Sequence, residues 1–336
     1  MQEDKKIIFI VGNSRSGTTL MARMLNNQGD IHISKETHYF QTNTKCFETG
    51  KSSHINELLH EFEVIQAHGI YRKYSKLNHP SFLCEAYRNG LISSDNKYRL
   101  FSDVLDVIGR RHGKSIQGDQ TPQNIFYIDE LIRAYENVKV VNMVRDPRAV
   151  ILSQRGKWKA AKKLGQPTKE IIRSFFNYHP ITLSILWNKA ISAGNEAEES
   201  FGNKNLHTIK FEELVSNPES VMKSLCAFIE IEYKAEMLNV DLQMSSNDLK
   251  QTDNMSGVQS SVADKWVDKL SSAEVAIIQM LTKTNMKQYG YENIKTGMPL
   301  LIIPLALYFP LHLFVSFVFN LNRIGNPITF LLKRFK

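Results

Sequence analysis

The first residues able to do chemistry lie between a short apolar run and a helical pattern: Gly12-Asn-Ser-Arg-Ser-Gly-Thr-Thr-Leu20. A Gly/Ser/Thr loop opening a helix aims backbone N–H groups at an anion, and Gly17 lets the chain approach that anion closely. Gly12 and Gly17 have the spacing of a triphosphate-binding loop, G-x-x-x-x-G-K-[ST], but Thr18 stands where the lysine belongs. No ammonium can reach β- and γ-phosphates from there. The cation sits inside the loop instead, at Arg15, whose fork can bridge two neighbouring oxyanions. The loop suits a shorter anion than a triphosphate. A simple Ser/Gly turn with Thr18 as helix cap is the alternative.

A second candidate follows the apolar run Val138–Val144: Arg145-Asp146-Pro147-Arg148, then Ser153. Arg145 falls just beyond the carboxyl end of a predicted strand, where open α/β sheets bind ligands. Pro147 suits the first turn of a helix. An Arg-Asp pair followed by a solvated helix is the plain alternative.

In order, the two motifs resemble those of the PAPS-dependent sulfotransferase family. Ser14-Arg15-Ser16-Gly17-Thr18-Thr19 matches its 5′-phosphosulfate loop, [PS]-[KR]-S-G-T-[TS]. Arg145 and Ser153 match its 3′-phosphate motif, R-[ND]-P-x-x-x-x-x-S. The likeness extends over most of residues 5–292, including His207–Pro218 with Phe228, Lys265-Trp266 with Leu270, and Tyr289-Gly290-Tyr291. It implies PAPS as sulfuryl donor, held by Ser14, Arg15, Ser16, Gly17, Thr18, Thr19, Arg145 and Ser153, with no metal required. Arg in the loop is the form found in tyrosylprotein sulfotransferases and many bacterial enzymes, where a Glu-Thr pair after the second strand carries the base. Here that pair is Glu36-Thr37, so Glu36 is the expected catalytic base, with Arg15 catalytic on the leaving-group side. His38 is a rival base; a polar residue at a helix start is the other reading. Gly118-Asp119-Gln120-Thr121-Pro122 departs from the family's x-[DE]-K-T-P, with Gln120 replacing a transition-state lysine. Ser260 and Ser261 are either a phosphosulfate contact or a polar loop.

These groups need a scaffold, and the apolar patterning describes one. Ile7–Val11, Val138–Val144 and Leu206–Phe211 are continuous apolar or β-branched stretches, with a short strand at Ser115–Gly118. Such runs suit strands buried on both faces of a parallel sheet. Helical patterns follow or precede them, around Leu20–Leu25, Ile125–Tyr135 and Val221–Ile229. The expectation is a P-loop-like, doubly wound parallel α/β sheet with helices on both faces. Residues 40–110 should form a helical insertion, and a hydrophobic C-terminal segment ends the chain. The domains expected are a sulfotransferase domain over 1–292 and a membrane-associated segment over 293–336.

Composition bounds the rest. Of 336 residues 42% are hydrophobic, too many for a disordered chain, and the formal net charge is +8. The mean hydropathy of −0.29 excludes a polytopic membrane protein but averages over one apolar segment. Cys46, Cys84 and Cys226 are too few for a disulfide framework and favour a reducing compartment. The charge is local. Residues 155–173 carry seven basic side chains against Glu170, and residues 291–336 carry five against Glu292. The remainder is slightly acidic, so no nucleic-acid partner is expected. The first basic stretch, with Trp158 among its lysines, reads as a lid over the donor, a groove for an acidic glycan, or a solvated helix.

From Thr296 to Asn322 no residue is formally charged, a span of 27. That length can cross a bilayer, although Pro299, Pro304 and Pro310 interrupt it. A kinked span, a re-entrant hairpin and an interfacial helix are all compatible with it. Residues 297–336 are therefore expected at a membrane surface, with the enzyme on the cytoplasmic side, peripheral or C-terminally anchored. The acceptor expected is a hydroxyl on a carbohydrate or lipid-linked molecule, a glycan or glycolipid. Two other readings remain open, a P-loop kinase or NTPase and a catalytically weak nucleotide-binding membrane scaffold.

Overall fold

The computed structural model describes residues 5–41, 52–68, 77, 79–93, 95–240, 264–297 and 302–320. Within them, 5–145 with 190–240 form one compact unit, and 146–189 with 264–320 form another.

The first unit is built on five parallel strands: β1 (Ile7–Gly12), β2 (Ile31–Ser34), β3 (Ile116–Asp119), β4 (Val138–Val144) and β5 (Leu206–Lys210), in the order β2-β3-β1-β4-β5. Ile7 is level with Gln117 on one side and Val138 on the other, so β1 is the central strand. Its side chains divide by parity. Ile7, Phe9 and Val11 enter one core with Tyr39, Phe40 and Phe101; Ile8 and Ile10 enter the other with Met21, Leu25 and Leu225. Both faces are thus buried, which is why the strand reads as an unbroken apolar run.

The helices follow in chain order. α1 (Thr18–Asn26) joins β1 to β2. α2 (Ser52–His68), α3 (Phe82–Arg88) and α4 (Lys97–Arg111) form the helical insertion, between β2 and β3. α5 (Ile128–Ala134) follows a 3₁₀ turn at Pro122–Tyr127, where the helical pattern from Ile125 predicts one helix. Ile55, Leu59, Leu83, Leu100 and Phe101 from the insertion join the first core, and α1 lies on the second. The chain then passes through α6 (Pro147–Arg155), α7 (Lys157–Lys163), α8 (Thr168–Phe176) and α9 (Pro180–Phe201). After β5 come α10 (Phe211–Ser216) and α11 (Pro218–Ile229), then α12 (Ser272–Gln288) and α13 (Ile302–Asn320).

The second unit has its own small core of Ala149, Ile151, Trp266, Leu270, Val275 and Ile278. At its centre is Arg148, which the sequence leaves on a solvated helix but which is 4% exposed. Its guanidinium donates to Asp146 from Nη2 at 2.6 Å and Nε at 3.0 Å, and from Nη1 to Gln279 Oε1 at 3.0 Å and the Glu292 carbonyl at 2.8 Å. It lies 3.9 Å over the Trp266 ring. Removing one partner of such a pair leaves a buried charge uncompensated. Arg148→Ala is expected to cost about 3–5 kcal/mol, read from urea denaturation; a loss below about 1 kcal/mol would contradict this account.

α13 is the single helix among the described residues long and apolar enough to cross a membrane. Cys84 and Cys226 are free thiols. Cys46, Ser260, Ser261 and the basic residues from Arg323 onward lie outside the described residues.

Candidate active site

The anion loop occupies the carboxyl end of the central strand. Gly12 has φ +138°, and a Cβ there would stand 2.3 Å from the Met143 carbonyl oxygen on β4. Gly17 has φ +95°, and its Cβ would stand 2.4 Å from the Phe211 ring. Between them Arg15 takes the left-handed region with φ 78°, and the Ser16 amide closes the turn on the Asn13 carbonyl at 3.1 Å. Such a conformation costs a non-glycine residue energy and is held by its surroundings. α1 starts with Gly17 as its cap and no side-chain oxygen on its first amides. Those amides, with the positive end of the helix, are left for a ligand. The Ser16 hydroxyl is fully buried beside them with no hydrogen-bond partner among the described residues. A buried, unmatched donor in an amide-lined cradle fits an oxyanion. Ser14 is half-buried, Thr18 is buried and Thr19 is exposed.

Arg145 follows β4, the neighbour of β1, and is 6% exposed. Its Nη1 donates to the Arg15 carbonyl at 3.2 Å, and its guanidinium lies 4.1 Å over Phe211, the ring that fills the space at Gly17. The two predicted motifs are therefore joined, Arg145 gripping the loop that carries Arg15. Ser153 lies on α6 in the second unit, half-buried.

The carboxyl end of β3 connects the loop to the expected base. Gln120 Nε2 donates to the Thr18 hydroxyl at 3.0 Å, so the residue in the lysine position is a neutral strut under the loop. Its amide donates to the Ser34 carbonyl at the end of β2. Thr121 Oγ1 accepts from the amides of Thr37 at 2.9 Å and His38 at 3.3 Å. This holds the turn after β2, where His38 is left-handed with φ 53°. His38 Nε2 then meets Glu36 Oε2 at 3.1 Å. The two rival bases form one pair, with side-chain exposures of 44% for Glu36 and 16% for His38. Lys35 points to solvent.

Asp119 is the residue that sequence reasoning missed. It is fully buried, accepts from Thr121 Oγ1 at 3.2 Å and Asn124 Nδ2 at 2.8 Å, and so anchors the threonine that holds His38. Asp119 and Thr121 stand two apart at a strand end, the spacing of one face, and that was the available signal. Burial pushes the Asp119 carboxyl up to about 7, against the hydrogen bonds of Thr121 and Thr37 and the charge of His38. The folded state therefore holds a proton that the unfolded chain releases near pH 4. Its stabilising contribution is full below about pH 4 and is lost as pH rises to about 7. His32, lowered to about 4 by burial, then by His112 and Lys114, gives the opposite slope. Comparing urea midpoints of wild type and Asp119→Asn between pH 4.5 and 7.5 isolates the Asp119 share. The variant is expected to lack the downward component; parallel profiles would contradict it.

A family model described as the sulfotransferase family matches residues 8–235. The chain belongs to the sulfotransferase family. The match takes in the loop, the Glu36–His38 pair, the end of β3 and Arg145. The chain is also 23% identical over 293 residues to Protein-tyrosine sulfotransferase A of Caenorhabditis elegans, covering 85% of this chain and 67% of that protein. It is 24% identical to Protein-tyrosine sulfotransferase of Drosophila melanogaster over 69% of this chain, but spans only 40% of the fly protein. Among solved structures it resembles the sulfotransferase domain from the curacin biosynthetic pathway, with TM-score 0.53 and 21% identity, over 87% of this chain and 100% of that one. That likeness shows a shared fold. As a sulfotransferase, this chain departs from the family pattern at Gln120, which the structure commits to Thr18.

Proposed function

We propose that this sulfotransferase moves a sulfuryl group from PAPS to an acceptor hydroxyl by in-line displacement, without a metal, at the cytoplasmic side of a membrane. The observation that carries the reading is the cradle between Gly12 and Gly17, in which the buried Ser16 hydroxyl has no partner among the described residues and Arg15 supplies the cation. PAPS supplies an activated sulfuryl group and a 5′-phosphate that departs as an anion. The loop amides, Ser14, Ser16, Thr18 and Thr19 bind that phosphate, and Arg15 neutralises the charge that grows on the leaving oxygen. Arg145 and Ser153 bind the 3′-phosphate. Glu36 accepts the acceptor's proton, and His38, 3.1 Å away, orients its carboxylate. Positioning and electrostatic stabilisation do the catalytic work.

The acceptor proposed is a hydroxyl on a glycan or glycolipid, a reading supported by the basic stretch 155–173, which suits an anionic surface, and by the apolar helix, which suits a lipid one. The names of the two animal relatives favour a second reading, a tyrosyl hydroxyl on a protein.

Calorimetry of adenosine 3′,5′-bisphosphate against ATP with magnesium tests the donor. Tighter binding of the bisphosphate is expected, and tighter ATP binding would replace this reading with a kinase or NTPase. Labelled sulfate transfer to an envelope extract and to a tyrosine peptide, with Glu36→Ala as control, tests the acceptor. No incorporation by the wild type would favour a nucleotide-binding scaffold, and equal incorporation by wild type and control would remove Glu36 as the base.

A further inference from the structure

Within the second unit, α13 is inside out. A helix on a protein surface ordinarily turns its polar side to water and its apolar side to the core. Here the polar side is the one that docks. His312 is 2% exposed and lies 4.7 Å from the His179 ring. The Ser316 hydroxyl donates to Asn177 Oδ1 at 2.9 Å, Asn320 Nδ2 to the same oxygen at 2.6 Å, and Arg173 Nη1 to Asn320 Oδ1 at 3.2 Å. His312, Ser316 and Asn320 are four residues apart, one continuous stripe along the helix. The opposite stripe is bare: Ile303, Leu307, Leu311, Phe314 and Val318 are 45–76% exposed.

An aromatic chain leads from the docked side of α13 to further exposed apolar residues on the basic helices. Phe319 stacks on Phe176 at 4.8 Å, Phe176 meets Phe175 at 5.4 Å, and Phe175 meets Trp158 at 5.8 Å. Phe175 is 53% exposed and Leu164 54%. Around them Lys159, Lys162, Lys163 and Lys169 are exposed.

We propose that α7, α8 and α13 form one monotopic docking face for a bilayer with anionic headgroups. The apolar stripe lies in the acyl boundary and the lysines lie at the headgroups. The inference deepens the membrane-side reading above and rests on it. Charge selects the occupant. A second copy seated on this face would set lysine against lysine, whereas an anionic leaflet complements them. Docking also sets the orientation. The polar stripe of α13 packs on Arg173 of α8 and on Asn177 and His179 just after it, and crossing the bilayer would strip those groups of their partners in hydrocarbon.

The test is flotation of the full chain with preformed vesicles of phosphatidylcholine alone or mixed with phosphatidylglycerol. The wild type is expected to float with the mixed vesicles far more than with the neutral ones. Lys159→Glu/Lys162→Glu/Lys163→Glu is expected to weaken binding to mixed vesicles roughly a hundredfold. Leu307→Glu/Phe314→Glu is expected to abolish binding to both. An epitope added after Lys336 should stay open to external protease. Equal binding to neutral and mixed vesicles, unchanged binding by the lysine variant, a protected epitope, or a wild type that stays unbound as a dimer would each overturn the proposal. Adenosine 3′,5′-bisphosphate affinity, measured on the same proteins, separates this from the donor reading. It should match wild type in every variant. A lysine variant that loses the nucleotide while keeping the vesicles would assign those lysines to a donor lid instead.

Discussion

Arg15→Ala is expected to lower sulfate transfer by about 10²–10³-fold, the usual cost of removing one group aimed at developing charge. The structure explains why nothing replaces it. The triphosphate-loop lysine position is Thr18, and its hydroxyl accepts from Gln120, a neutral side chain. With no ammonium at either place, the loop cation is Arg15. Folding should change little, because Arg15 is not in either core, and alanine meets the same left-handed cost at φ 78°. Arg15→Lys keeps the charge but loses the planar fork and should fall between wild type and alanine. Initial rates with labelled donor measure the effect. An alanine variant within twofold of wild type would remove Arg15 from the mechanism.

Glu36→Gln comes next, with an expected fall in kcat of about 10²–10⁴-fold and no change in adenosine 3′,5′-bisphosphate affinity. Glutamine keeps the size and can still meet His38, so the turn held by Thr121 should survive. His38→Ala should cost less, because it removes an orienting partner rather than the base. The reverse order of effects would make His38 the base and Glu36 its orienter.

The sheet was legible because β1 and β4 are buried on both sides, and double burial writes itself as an unbroken apolar run. The loop was legible because glycines at 12 and 17 are demanded by the backbone, at φ +138° and +95°. Other features depend on contacts remote in sequence. Thr121 holds Thr37 from 84 residues away, and Asp119 matters only through Thr121. Their spacing of two at a strand end is the single local mark of either. Arg148 resembles a surface residue in the chain, yet its partners at Gln279 and Glu292 are more than 130 positions on. The tail was legible as apolar by composition, but its docking stripe of His312, Ser316 and Asn320 vanishes in any averaged hydropathy.

The hydrogen bond from Arg145 to the Arg15 carbonyl has a thermodynamic corollary. Under the proposed function the same guanidinium holds the loop and the 3′-phosphate, which would make the two phosphate sites linked functions. Whatever affinity factor an anion at Arg145 confers on the loop, an anion in the loop must confer on Arg145 in return. A donor lacking its 3′-phosphate would forfeit this reciprocity along with its direct contacts, and selectivity between the two nucleotides would exceed the worth of one ion pair.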